Sequence, residues 1–468
     1  MTTSLPLSSL AALAPLIALV SSAILVATTS LWMDTWRFSA WLSVAVLVIV
    51  MALTLLVILS GSSTIIEGML NVDGQAAVFA LYFCGIGVAA TFLELGSSQH
   101  TDSARYALLL LSVTGAIIVA QSVHLVPLAA GLFILYVASN ALLAPSFAFR
   151  HFVTHAISLA CIVLGASMLY GASGTLRINA AVPELGRPML DNGNALAMLG
   201  TGILIAGLGL PLGIVPFHLA FRDIYTRPGS ARSMLVALAQ PAAALSVLSR
   251  VHNLWPVGTD TGLMILAAFS ILYGLWSSLR TDRVSGMLYG VAMVQAGELL
   301  LCTTLISPTD PTLLLYSLLA HGPISAALWA TGVNTRHPNK DPLLISDLDG
   351  LADRRPWLAA ALTICLLSMA AAPPLAGAVA KLYLGQAALA TGNVGLVGLI
   401  ALEVLGSWLL LGRFLVSMWL RPRVDRLWFP STSEVAAVAL VSLICVLVLG
   451  LYAETALNWL YYLIGAFQ

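Results

Sequence analysis

Lysine is nearly missing from this chain. Only Lys340 and Lys381 occur in 468 residues, and charged residues of all kinds make up 9%, against about 25% in a soluble domain. That scarcity excludes an ordinary water-exposed surface. Lys+Arg and Asp+Glu are each 20, so there is no basic excess to hold nucleic acid. The five cysteines, Cys84, Cys161, Cys302, Cys365 and Cys445, all fall in apolar runs, with no Cys-x-x-Cys pair and no Cys/His cluster. They read as small buried hydrophobes, not as a disulfide framework or metal centre. No nucleophile–base set or glycine-rich phosphate loop is present, which disfavours an active site of the chain's own. The first residues, MTTSLPLSSLAALAPLIALVSSA, lack the basic start of a signal peptide. Their apolar run is expected to stay as a first helix.

What the chain has instead is apolar length. It is 60% hydrophobic with mean hydropathy +0.98, which predicts an all-α polytopic membrane protein. With about 20 apolar residues per span, about fourteen spans fit: 10–29, 38–60, 75–97, 105–122, 124–143, 152–171, 195–219, 230–250, 261–279, 285–305, 312–332, 357–388, 395–419 and 433–453. No stretch could bury a soluble core of its own, so residues 1–468 are expected to be a single membrane domain. Two spans contain helix breakers. The seventh carries Pro211 and Pro216, and the twelfth carries Pro373 and Pro374. Interrupted helices at corresponding places point to two inverted repeats. The tail from Thr455, with Trp459, Tyr461 and Tyr462, suits an interfacial aromatic belt.

Charge tests the count. With the N-terminus outside, fifteen of the 20 basic residues fall in cytoplasmic loops: Arg37, Arg105, Arg150, Arg222, Arg227, Arg232, Arg280, Arg283, Arg336, Lys340, Arg354, Arg355, Arg421, Arg423 and Arg426. Arg177, Arg187 and Arg250 fall outside, and Arg413 and Lys381 lie within spans. This is the bias of the positive-inside rule, and a wrong number of central spans would scramble it.

Lys381 is the exceptional residue. A lysine inside an apolar span costs roughly 2.5–3.5 kcal/mol on insertion scales, so it marks a functional site by default. The double proline just before it removes two backbone donors, and lipid tolerates such a break only where protein or water satisfies the freed carbonyls. Three more ionisable groups stand in neighbouring spans: Glu298 in the tenth, His321 in the eleventh and Glu403 in the thirteenth. Mutual pairing would lower their cost, and a proton relay would explain their presence. A structural ion pair of Lys381 with Glu403, bracing the broken helix, is the plainer alternative.

Several stretches also carry a family resemblance. LGLPLGIVPFHLAFRDIYTR (208–227), NVDGQAAVFALYF (71–83), LGASMLYGASGTL (164–176) and the long stretch from Asp347 through PPLAGAVAKLYL resemble, in order, the antiporter-like subunits of respiratory complex I, in particular the NuoN type. The resemblance runs over roughly residues 70–420. It implies peripheral helices over 10–97, one antiporter-like repeat over 105–250, a second over 261–419, and a C-terminal helix and tail over 433–468. It also implies a proton-translocating membrane-arm subunit of an NADH:quinone oxidoreductase-type complex, in a bacterial inner membrane or its equivalent. Such a subunit carries no redox cofactor itself. Flavin, iron–sulfur clusters and quinone belong to partner subunits, and the expected partners are quinone-module and other antiporter-like membrane subunits.

The chain departs from that pattern in its first half. The family's fifth-helix glutamate aligns with Phe133, and its lysines of helices seven and eight align with Pro211 and Pro241. A small misalignment changes nothing, because no Asp or Glu lies between Asp102 and Glu184 and no lysine precedes Lys340. Lys381 matches the family's twelfth-helix lysine. The expectation is therefore proton translocation reduced to the C-terminal half, with two alternatives: a non-pumping scaffold of such a complex, or an Mrp-like cation/proton antiporter or ion-uptake subunit. His218 and Asp223 read as anchors of a loop, and Arg354–Arg355 as a topology signal. His151 and His155, four residues apart, are too few for a metal site.

Overall fold

The computed structural model describes residues 7–32, 36–59, 63–65, 68–96, 102–143, 145–178, 195–226, 231–252, 258–305, 310–334, 344–422 and 433–465. Glu184, Arg187, Arg227, Arg336, Lys340, Arg423 and Arg426 lie outside them. Runs of apolar residues with no charge to face water form helices whose length matches a bilayer. Those used below are α1 (Leu7–Trp32), α2 (Trp36–Leu59), α3 (Gly74–Leu95), α4 (Ala104–Gln121), α5 (Leu125–Leu142), α6 (Pro145–Ser173), α7 (Ala195–Leu212), the short α8 (Leu219–Thr226), α9 (Ala231–Val251), α10 (Thr259–Arg280), α11 (Val284–Leu305), α12 (Thr312–Asn334), α13 (Pro356–Met369), α14 (Ala376–Ala390), α15 (Val394–Leu415), α16 (Ser433–Leu451) and α17 (Ala453–Gly465). A small hairpin, β1 (Ser63–Ile65) against antiparallel β2 (Leu70–Val72), joins α2 to α3.

Among the described residues thirteen helices are long and apolar enough to cross a membrane. Two shorter helices, α13 and α14, together make a fourteenth, broken crossing. The protein is a multi-pass membrane protein. Burial sorts the spans into layers: 89% of the apolar window of α11 is buried, but only 33% of that of α16. The centre is α12, which packs on α3, α9, α11, α13, α14 and α16. The outer faces of α1, α2, α6 and α15 expose bulky apolar side chains, as lipid requires.

The breaks lie where sequence placed them, with one correction. Pro211 does not interrupt the seventh crossing; it sits in the last turn of α7. The missing Pro211 N–H frees the Gly207 carbonyl, and Ser158 Oγ on α6 donates to it at 2.7 Å. The chain leaves the helix at Gly213, whose φ of +70° a side chain would resist, and runs through Pro216 to α8. In the twelfth crossing the break spans Ala370–Leu375, with Ala371 held at φ +59°. Pro373 and Pro374 bring no N–H into this segment, and the Gly377 N–H beyond it is satisfied by Ser368 Oγ at 2.9 Å.

Long-range polar ties hold the helix ends. Arg250 makes a two-pronged bond to Asp73, both contacts 2.9 Å, while Asp73 caps α3 by accepting from Ala76 N. Glu94 at the end of α3 lies 3.2 Å from Arg232 at the start of α9. Arg413, a span residue by sequence, extends its guanidinium to the C-terminal end of α10, donating to the Leu279 and Thr281 carbonyls and to Asp282.

Candidate functional site

Four helices contribute to the site. Lys381 lies in the second turn of α14, just beyond the Pro373–Pro374 break, and points away from lipid between α11 and α15. Its Nζ donates to Glu403 Oε1 on α15. The same Nζ is 3.2 Å from Glu298 Oε1 on α11. The other oxygen of Glu298 is 3.2 Å from His321 Nε2 on α12. All four side chains are buried, at 5% exposure or less. Sequence reading picked these four from separate spans, and the fold brings them into one chain, His321–Glu298–Lys381–Glu403.

Why they meet follows from local structure. Breaking the crossing lets α13 and α14 run on different lines, so α14 can insert its first turns among α11, α12 and α15. The approach is close: a Cβ on Gly377 would stand 1.9 Å from the Ser368 carbonyl oxygen, and one on Gly450 of α16 would stand 2.2 Å from that of Pro374. α12 runs through Pro323 as one helix, and His321 lies two residues before that proline.

Sequence reading missed several neighbours. Ser407, one turn beyond Glu403, donates to its Oε1 at 3.0 Å. Gln295, one turn before Glu298, accepts from Ser325 of α12 at 2.7 Å. Helical spacing from the two acids would have found both. A cavity of about 50 Å³, lined by Gly213, Phe221, Pro241, Gln295, His321 and Ser325 among others, is roomy enough for water. It joins the first break to His321. In the first half, Phe133 is 56% exposed on the outer face of α5, Pro211 ends α7, and Pro241 lines that cavity. His218 accepts at its carbonyl from Tyr289 Oη at 3.1 Å, and Asp223 pairs with Arg150 at 2.6 Å.

Comparison with known proteins bears on the family and the fold. The family model described as "NADH:quinone oxidoreductase/Mrp antiporter, TM" matches residues 123–406. The chain belongs to this family. A relative named NADH-quinone oxidoreductase subunit N, from Desulfovibrio desulfuricans, is 27% identical over 97% of this chain and 96% of its own length. Among solved structures, a chain of respiratory complex I from Thermus thermophilus is similar at 23% identity and TM-score 0.81, covering 95% of this chain and 98% of that one. A chain of the Mrp complex from a Dietzia species is similar at 17% identity and TM-score 0.85, covering 99% and 98%. At these identities the two structures speak for the shared fold alone.

Proposed function

We propose that this chain is an antiporter-like membrane-arm subunit of a complex I-type oxidoreductase, and that it moves protons through the His321–Glu298–Lys381–Glu403 chain. Full-length similarity to a subunit N supports the first part. The observation that carries the second is Lys381 held between two buried carboxylates, with a histidine on one of them. One ammonium balances one carboxylate. The second carboxylate in so dry a place needs a further proton, its own or that of His321. A site that must hold this proton, and has four groups across which to pass it, can load and release it as neighbouring charge changes.

On this reading His321, which lines the cavity, is the loading side and hands on to Glu298, and Glu403 with Ser407 is the release side. The spans divide into repeats over 105–250 and 261–419, each broken in its fourth crossing. The arginine-rich loops support a cytoplasmic face and a periplasmic N-terminus in an energy-transducing membrane. Redox centres and quinone belong to partner subunits; this chain supplies the proton path.

A scaffold reading draws on the absence of any Asp or Glu between Asp102 and Glu184 and of any lysine before Lys340, which by the resemblance leaves Phe133, Pro211 and Pro241 at the positions of the family's first-half acid and lysines. Lys381→Ala in the intact complex separates the two. The relay reading expects redox-coupled proton translocation to fall by about 10²-fold with subunit content preserved. Translocation at the wild-type ratio of protons to electrons would overturn it. Recovery of the chain without any quinone- or electron-input subunit would overturn membership of such a complex.

A further inference from the structure

The first half has no Asp or Glu between Asp102 and Glu184 and no lysine at all, yet it is not apolar. Between α5, α6 and α9 lies a second buried polar cluster. His155 on α6 is 3.2 Å from Asn140 on α5 through Nδ1 and 3.0 Å from Gln240 on α9 through Nε2. Tyr136 stacks on the His155 ring, with centroids 4.2 Å apart, and hydrogen-bonds Ser158 at 3.1 Å. His151, one turn earlier on α6, sets its ring edge-on to that of His155 at 4.1 Å. Both histidines, Asn140 and Gln240 are more than nine-tenths buried.

These bonds do not satisfy the whole cluster. Gln240 also hydrogen-bonds His151 through its side chain, but Asn140 Oδ1, a buried acceptor, has no hydrogen-bond partner among the described residues. A buried acceptor left in this way fits hydrogen bonding to water. The cluster also has outlets on two sides. Arg150 and Asp223, an exposed pair at 2.6 Å, stand at the arginine-rich end of α6 beside His151. In the other direction Phe221 touches the His151 ring at 5.9 Å and lines the cavity that reaches His321, as do Ala237 and Pro241 beside Gln240.

We propose that His151 and His155, held by Asn140 and Gln240, form a proton-binding site that serves in the first half in place of the family's acid and lysines and passes protons through the shared cavity to His321. The chemistry needs nothing else. One imidazole nitrogen takes a proton as the other releases one, and no further bond or electron changes. No fixed charge competes in mid-membrane. Around α6, helix α7 offers no ionisable group, α5 offers Tyr136, α8 offers Arg222, Asp223 and Tyr225, and α9 carries Arg232 and Arg250 only at its ends, engaged by Glu94 and Asp73.

This inference rests on the proton-translocating reading above, and its test is built to fail separately. In the intact complex in membrane vesicles, His151→Gln with His155→Gln is expected to lower redox-coupled proton translocation by about 10²-fold. Asn140→Asp places a carboxylate against His155 Nδ1. It is expected to shift the pH profile of translocation upward by about one unit, since a nearby negative charge favours the imidazolium; a purely packing role predicts no shift. Wild-type translocation in the double glutamine variant, or an unshifted profile in Asn140→Asp, overturns the inference. If Lys381→Ala abolishes translocation while these variants leave it intact, the C-terminal reading stands and this one falls. If the histidine variants lower it and Lys381→Ala does not, the histidine site stands without the Lys381 relay.

Discussion

Glu298 Oε1 stands 3.2 Å from Lys381 Nζ, and Glu403 holds the same nitrogen from the opposite helix. Removing the lysine alone leaves two buried carboxylates facing each other. Lys381→Met should therefore destabilise the chain by about 3–5 kcal/mol, whereas Lys381→Met with Glu298→Leu and Glu403→Leu should be near neutral, because a buried ion cluster replaced whole by apolar groups loses little. Thermal retention of the chain in the solubilised complex reads stability, and vesicle proton uptake reads transport. A triple variant that regains stability but not transport separates the relay from the brace. One that regains both would leave the cluster purely structural.

Ser158 and Pro211 make a second linked pair. The serine hydroxyl occupies the Gly207 carbonyl that the proline leaves bare. Ser158→Ala should cost about 1–3 kcal/mol, the penalty for an unsatisfied buried acceptor. Pro211→Ala restores the N–H that belongs there, so the double variant should be less destabilised than Ser158→Ala alone. Equal melting of the single and double variants would show that the hydroxyl has another role.

How much of this was readable beforehand depended on the interaction involved. Membrane crossings are dictated by apolar length, so the count of about fourteen and the broken twelfth crossing were visible in residues 357–388. Lys381, Glu298, Glu403 and His321 were visible because charge in an apolar run is rare. Pairing among them was expected, Lys381 with Glu403 by name, but the order in which they touch was not visible, since contact depends on the angle α14 takes after Pro374. Neutral polar residues carry no such signal. Asn140, Gln240 and Gln295 look like ordinary span residues until the fold sets them against a histidine or a serine. Glu94 and Arg232 were hidden by lying near helix ends, where charge is unremarkable. Pro211 read as a breaker because sequence could not show Ser158 waiting for the carbonyl it frees.

His124 offers a pH-dependent prediction away from the site. Its Nδ1 accepts from Val126 N at 3.2 Å and so caps α5. Burial, and then nearby Arg177, lower its pKa below the ordinary value of about 6.5. The folded chain thus favours the neutral ring, which alone can accept this bond. The stabilisation from this cap is full above the ordinary value of about 6.5 and is lost as pH falls through the lowered value in the folded chain. Hydrogen exchange at the start of α5, corrected for intrinsic rate, should speed up on acidification in the wild type. In His124→Asn, which caps without titrating, it should not. The same acceleration in both proteins would remove His124 from the account.

The last prediction concerns a residue with no chemistry at all. Gly450 lies on α16, and a methyl group there would meet the Pro374 carbonyl oxygen at 2.2 Å and the Ala376 nitrogen at 2.7 Å. Both are backbone atoms and cannot swing aside. Packing at this density passes a displacement on to its neighbours, and the neighbour here is the segment that aims α14. Gly450→Ala should push the break away from α16 and carry Lys381 out of register with Glu298 and Glu403. Proton translocation should then fall although every ionisable group remains. Gly412→Ala is the matched control: it sits in α15 with no atom within 4 Å of the added carbon, so it should leave both assembly and transport unchanged. If the two alanine variants translocate alike, the close crossing of α16 over the break does not set the geometry of the site.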